Sequence, residues 1–247
     1  KKSEAINFIL FVISYYIIKG SPIDLLGHIM FTMHMTQMAF LLLLVPIFFI
    51  KGIPGWVWKI VVETPIMRTI FKIFTKPLVA IILFTGLFSV YHLPLVFDTI
   101  KLNEALHMLY TMILFLSAIF MYWPLLNQVE NQTEMNNMSK LAYIAGNAVL
   151  ITPACALIIF ASGPMYGTYS DGDMWMQAMA LCVPADTLSS LSLSGPELFS
   201  NMDLVSDQQV GGVLMKIIQE IIFGVILFRI YRKWWNTERA NPEEITE

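Results

Sequence analysis

Charge is what this chain has least of. Only 13% of its 247 residues are Asp, Glu, Lys or Arg, about half the roughly 25% usual in soluble domains. That poverty excludes an ordinary water-soluble fold. Cysteine is scarce as well: Cys155 and Cys182 are the only two, they do not form a CxxC spacing, and they make no disulfide framework. Cys155 lies inside an apolar run and reads as a small buried hydrophobe. No basic patch suits phosphates, so the net charge of −3 gives no reason to expect a nucleic-acid partner. A nucleotide loop, a nucleophile arrangement and paired catalytic carboxylates are all missing from the pattern, which points to no enzymatic turnover. The chain has neither an initiator methionine nor a signal peptide with a cleavage site. Lys1 stands directly before an apolar stretch, so a further N-terminal helix is expected ahead of it.

What the chain has is apolar length. Hydrophobic residues make up 57% of it and the mean hydropathy is +0.66. Several runs reach the ~20 residues that cross the hydrocarbon of a lipid bilayer. They predict an all-α polytopic transmembrane helix bundle with six spans, at about 5–20, 25–50, 77–97, 103–125, 140–163 and 209–231. Residues 1–247 are thus read as a single integral membrane domain. Pro22 and Asp24 suit a helix start before the second span, and Gly52, Pro54 and Gly55 break it. Segment 56–76 is amphipathic and basic, with Trp56, Trp58, Lys59, Arg68, Lys72 and Lys76, as suits a helix in the membrane interface. An acidic, Asn-rich connection, NQVENQTEMNN, separates the fourth and fifth spans. Residues 163–208 form a long polar connection in which 174–183 is expected to be a surface helix, and 232–247 is a polar tail.

Basic residues fix the orientation, because cytoplasmic loops are enriched in Lys and Arg. With six spans, twelve of the fifteen basic residues fall on one side and only Lys19 and Lys101 on the other, while Lys216 lies within the last span. The richer side is therefore read as cytoplasmic, with the C-terminus of the chain inside. The 163–208 connection, with six acidic residues and no basic one, is read as outside.

This topology brings all four histidines, His28, His34, His92 and His107, into the outer half of the bundle. His28 and His34 differ in height by only ~9 Å along a helix. Met30, His34 and Met38 fall on one helical stripe at i, i+4, i+8, and His28 and Met35 on another. On the fourth span His107 aligns with Tyr110 and Thr111, and Met108 with Met112. Ligands on facing helices build internal sites in bundles, and imidazole with thioether favours copper, Cu(I) above all. The expected metal ligands are His34, His92 and His107, completed by His28, Met30 or Met38. The plainer alternatives are a methionine stripe that only packs and interfacial histidines that only anchor. Intramembrane polar groups are costly, however, which makes a site the default reading.

Two further features have structural readings. Asp207 is placed to cap the last helix, and Gly211-Gly212 permits close helix approach. Lys216 and Glu220, at i, i+4, are expected to neutralise each other.

The blocks SPIDLLGHIMFTMHMTQM, YHLPLVFD with LHMLY and the YWP exit, and SDQQVGGVLMK together resemble the cytochrome c oxidase assembly factor CtaG family of bacterial membrane proteins. The resemblance runs through nearly the whole chain, with the blocks in the family's order, and the first block is close to a Gram-positive, Bacillus-like relative. It implies a seven-helix membrane protein needed to mature a caa-type terminal oxidase, with the family's histidines at His28, His34, His92 and His107. On that footing the chain is expected to bind copper at the outer face and present it to an oxidase subunit whose copper centre forms there. It would do so as an assembly factor and not as an enzyme. A haem-binding redox protein, with axial histidines from two facing spans, and a metal-free assembly scaffold are the competing readings.

Overall fold

Proline sets the punctuation of this chain, because it fits the first turn of a helix but disrupts the interior. Five helices carry Pro22, Pro46, Pro65, Pro77 or Pro94 in their first two positions. The computed structural model describes residues 1–127, 129, 135–181, 183–184, 187 and 202–240. Cys182, much of the 127–137 connection, most of 185–201 and the end of the polar tail lie outside the described residues. Among the described residues 86% are helical and none lies in a strand.

In chain order the helices are α1 (Lys2–Tyr15), α2 (Pro22–Ile29), α3 (Phe31–Ala39), α4 (Val45–Gly52), α5 (Gly55–Glu63), α6 (Pro65–Phe74) and α7 (Pro77–Tyr91). There follow α8 (Pro94–Lys101), α9 (Glu104–Leu126), α10 (Asn137–Ile159), α11 (Gly167–Ser170), α12 (Gly172–Met179) and α13 (Leu204–Ala240). Among the described residues five rods are long and apolar enough to cross a membrane: Lys2–Gly20, Phe31–Gly52, Glu104–Leu126, Asn137–Ile159 and Leu204–Thr237. α6 and α7 pass the same test together but meet at an 83° bend. The chain is therefore a multi-pass membrane protein.

Two expected spans have different limits. The second begins at Phe31 and not near residue 25, because Met30 is extended (φ −129°, ψ 139°) and separates α2 from α3. The third ends at Tyr91, since Pro94 starts a new helix, α8. The 56–76 segment is likewise two helices, divided at Thr64-Pro65.

The α3–α4 rod passes through one π-helical turn at Phe40–Leu44, where the Val45 N–H donates to the Phe40 carbonyl five residues back. Pro46 explains it: proline has no N–H and its ring clashes with the carbonyl four residues earlier. The loosened turn leaves the Leu43 carbonyl to accept a hydrogen bond from the Tyr122 hydroxyl at 2.8 Å. A kink is thereby tied to a neighbouring rod.

The rods close a ring. α13 packs on both α10 and α3, α4 on α9, α9 on α7, and α7 on α10, while α1 docks outside against α4. The expected close approach at Gly211-Gly212 is present: a Cβ on Gly211 would lie 3.1 Å from the Thr32 Cα, and one on Gly212 would lie 2.8 Å from Ile159 Cγ1. Gly52 does the same for α1, since its Cβ would meet the Phe8 Cα at 2.7 Å. Lys216 pairs with Glu220 at 2.7 Å, as their spacing predicts, and also donates to Thr152 Oγ1 at 2.9 Å.

Candidate functional site

The break at Met30 is held by a residue from the far end of the chain. Asp207 on α13 accepts hydrogen bonds from the Phe31 N–H at 2.8 Å and the Thr32 N–H at 3.2 Å, and its own carbonyl accepts from the Thr32 hydroxyl at 2.6 Å. It thus caps α3, across 175 residues, and not its own helix as the sequence predicts. Asp203 caps α13 instead, accepting from the Val205 and Ser206 N–H groups. The carboxylate satisfies donors that an N-terminus buried among rods would otherwise leave unpaired.

Short helices close this end of the bundle. Asp98 on α8 accepts from the Gly167 and Thr168 N–H groups and from the Thr168 hydroxyl at 2.9, 3.1 and 2.8 Å. The Tyr166 hydroxyl donates to the His92 carbonyl at 2.8 Å, and Trp175 Nε1 to the Ile29 carbonyl at 3.2 Å. The Gly27 carbonyl accepts from both Lys101 Nζ, at 3.2 Å, and the Tyr169 hydroxyl. Gly27 has no room for a side chain: a Cβ there would meet Gln37 Oε1 at 2.6 Å.

Beneath this lid the four histidines gather in two pairs. His34 on α3 and His92, just after α7, have ring centroids 6.4 Å apart. Both are buried. Aromatic rings enclose His34, with centroids at 6.0 Å for Phe31, 5.9 Å for Tyr91, 5.1 Å for Phe97 and 6.3 Å for Tyr169. The second pair, His28 on α2 and His107 on α9, has centroids 5.5 Å apart. It stands at the polar end of a cleft of about 560 Å³ between α1 and α9, whose walls include Tyr15, Thr111, Met108 and Met112. Thus one pair is enclosed and the other opens into a cleft.

Hydrogen bonding shows which nitrogens are available. His92 Nδ1 lies 2.8 Å from the Phe88 carbonyl. A carbonyl only accepts, so Nδ1 carries the proton and Nε2 presents a lone pair. That arrangement, one ring nitrogen donating to a backbone carbonyl, is the usual one for metal-binding histidines. Among the described residues, His92 Nε2, both nitrogens of His34 and His28 Nδ1 find no hydrogen-bond partner, and neither do the Tyr91 and Thr111 hydroxyls. An unsatisfied buried polar atom costs about 1–3 kcal/mol, so such a cluster calls for water or an ion.

The ring separations within each pair leave room for one shared ion. Imidazole nitrogens take metals at about 2.0–2.1 Å, so two rings sharing one ion have centroids up to about 6.4 Å apart; both pairs fall within that reach. The Lys101 ammonium is buried in α8, where it donates to the Gly27 carbonyl. His28 itself is pushed down to about 3, first by burial and then by Lys101, with Asp24 opposing. Its ring is therefore neutral at pH 7. Among the described residues no three His, Cys, Asp or Glu side chains are grouped so as to hold a metal by themselves. Thioethers would have to complete either pair.

The two expected thioether ligands lie differently. Met30, extended at the break, packs against a small apolar cluster of Ile29, Trp175 and Met179. Met38 is buried in the main apolar core. Met108 and Met112 share the cleft with His28 and His107, a proximity that their one-turn spacing on α9 could not reveal without the facing helix. Tyr91 and Asp98 both lie in the YHLPLVFD block, whereas nothing in the sequence marks Lys101 as buried.

The model of the cytochrome c oxidase caa3 assembly factor family matches residues 1–237. The chain belongs to that family. No curated protein and no solved structure matched in the corresponding searches.

Proposed function

We propose that this caa3 oxidase assembly factor binds Cu(I) through its paired histidines and hands it, at the outer membrane face, to an oxidase subunit whose copper centre forms there. The observation that carries the reading is the set of unpartnered imidazole nitrogens in two neighbouring pairs. His28 and His107, beside Met108 and Met112, form the accessible station. His34 and His92, wrapped in aromatic rings, form the enclosed one. Met38 and Met30 stand as reserve ligands.

In this reading the chain's own groups hold and shield the ion without chemical conversion, which is a non-catalytic role. The Phe88 carbonyl keeps His92 in the tautomer with Nε2 free. The aromatic wall of His34 excludes water, which protects Cu(I) from oxidation and exchange. Cu(I) supplies only its own coordination preference, for soft and few ligands.

The test is metal content of detergent-purified protein loaded with Cu(I) under reducing conditions. Wild type is expected to retain stoichiometric copper, and a folded His34→Ala/His92→Ala/His107→Ala variant to lose it. Absence of copper from loaded wild type would leave a metal-free scaffold for oxidase subunits as the function. A Soret band in the purified protein would instead favour haem.

A further inference from the structure

The opposite end of the bundle carries a second cleft, of about 550 Å³, between the α3–α4 rod and α13, with the end of α9 and the start of α10 at its edge. Both long walls change character in the same direction. On α13, Ile221, Val225, Arg229 and Lys233 follow one another at four-residue spacing, so one helical stripe runs from apolar to basic. On the other wall Leu44 and Ile47 precede Lys51, and Lys140 of α10 adds a fourth cation at the same end. Lys51 and Arg229, from the two walls, line the same cleft.

Among the described residues, those lining this cleft include no carboxylate. Among the described residues the ion pairs lie elsewhere, at Lys1, Lys19, Lys59 and Lys216. Four cations concentrated without a carboxylate raise one another's energy, and an anion held at their level relieves it. The apolar walls below them are open to the hydrocarbon: Ile221 is 61% and Val225 47% exposed. A free phosphate would satisfy the cations and leave those walls bare.

We propose that this cleft is a binding site for an anionic phospholipid. Its phosphate is held by Lys51, Lys140, Arg229 and Lys233, and an acyl chain lies against Leu44, Ile47, Ile221 and Val225. Basic pockets between transmembrane helices are a recurrent means of holding such headgroups. The site is independent of the histidine pairs, which occupy the other end of the ring.

The test is native mass spectrometry of the full chain, delipidated and then exposed in mixed micelles to phosphatidylglycerol or phosphatidylcholine. Retention of one phosphatidylglycerol in at least fivefold preference to phosphatidylcholine is expected. A Lys51→Gln/Arg229→Gln variant should lose that preference, while Arg68→Gln/Lys72→Gln, on the exposed face of α6, should keep it. If the first variant fails to fold, Lys140→Gln/Lys233→Gln at the cleft edge replaces it, with the same loss expected. Equal retention of the two lipids would overturn the proposal. So would equal loss in the α6 variant, or displacement of the lipid by millimolar inorganic phosphate.

Discussion

The two ends of this bundle solve opposite problems. At the histidine end polar groups are buried and cross-linked: Asp207 caps a distant helix, Asp98 pins the α11 turn, and the Gly27 carbonyl receives two donors. At the other end the described charged residues that line the cleft between rods are all cations, and that cleft is greasy and open. The contrast teaches where the chain stores rigidity. Dense hydrogen bonding can fix imidazoles within reach of one another, whereas long cations on an open cleft can adapt to a mobile partner.

The largest effect that would break this contrast is loss of the long-range cap. Asp207→Ala leaves the buried Phe31 and Thr32 N–H donors without their carboxylate, while the Thr32 hydroxyl keeps the backbone carbonyl at 207, and is expected to cost about 2–4 kcal/mol. Thermal unfolding in detergent measures it, and the histidine end should lose order before the basic end does in hydrogen exchange. A change under 0.5 kcal/mol, by the typical scale of surface substitutions, would show that the cap does not hold α3.

Next in size is crowding of the ring seam. Gly212→Val places atoms where Ile159 already lies, with the Cβ alone at 2.8 Å. Overpacking of this kind costs about 1–3 kcal/mol, read from the same unfolding curves. Gly224→Val on the same helix should be close to neutral, because nothing lies within 4 Å of its Cβ direction.

A smaller effect follows from acid. His28 is held neutral by burial, with its value lowered to about 3, while the unfolded chain titrates near the ordinary 6.5. The unfolded state therefore binds more protons between these values, and stability is complete above about 6.5 and falls as the pH drops. The slope contributed by this one group is roughly 1.4 kcal/mol per pH unit below that point. His28→Gln should reduce the slope between pH 6 and 4; an unchanged slope would mean that the ring is not enclosed.

Much of the fold was legible because span length and proline are local signals. Ser21-Pro22 opening a helix, the spacing of Lys216 and Glu220, and the glycine pair at 211–212 all carry their meaning within a few residues. The site was legible only in part. His28, His34, His92 and His107 could be placed at one end, but which ring faces which depends on the packing of α2, α3, α7 and α9, and the spacing holds no record of it. The helix breaks at Met30 where a carboxylate on α13 caps α3, and an interaction across 175 residues leaves no local mark. Lys101 was read as a loop cation on the outer side; its burial depends on a carbonyl and an aromatic ring from other helices.

The central claim, that the histidines act as two copper-holding pairs, is tested most directly by Cu(I) titration against a chromogenic chelator. Wild type is compared with His28→Ala/His107→Ala and with His34→Ala/His92→Ala. Each double variant is predicted to stay folded and to lose one class of Cu(I) site while keeping the other, with the first variant also loading the enclosed pair more slowly. Identical titrations for all three proteins would contradict the account.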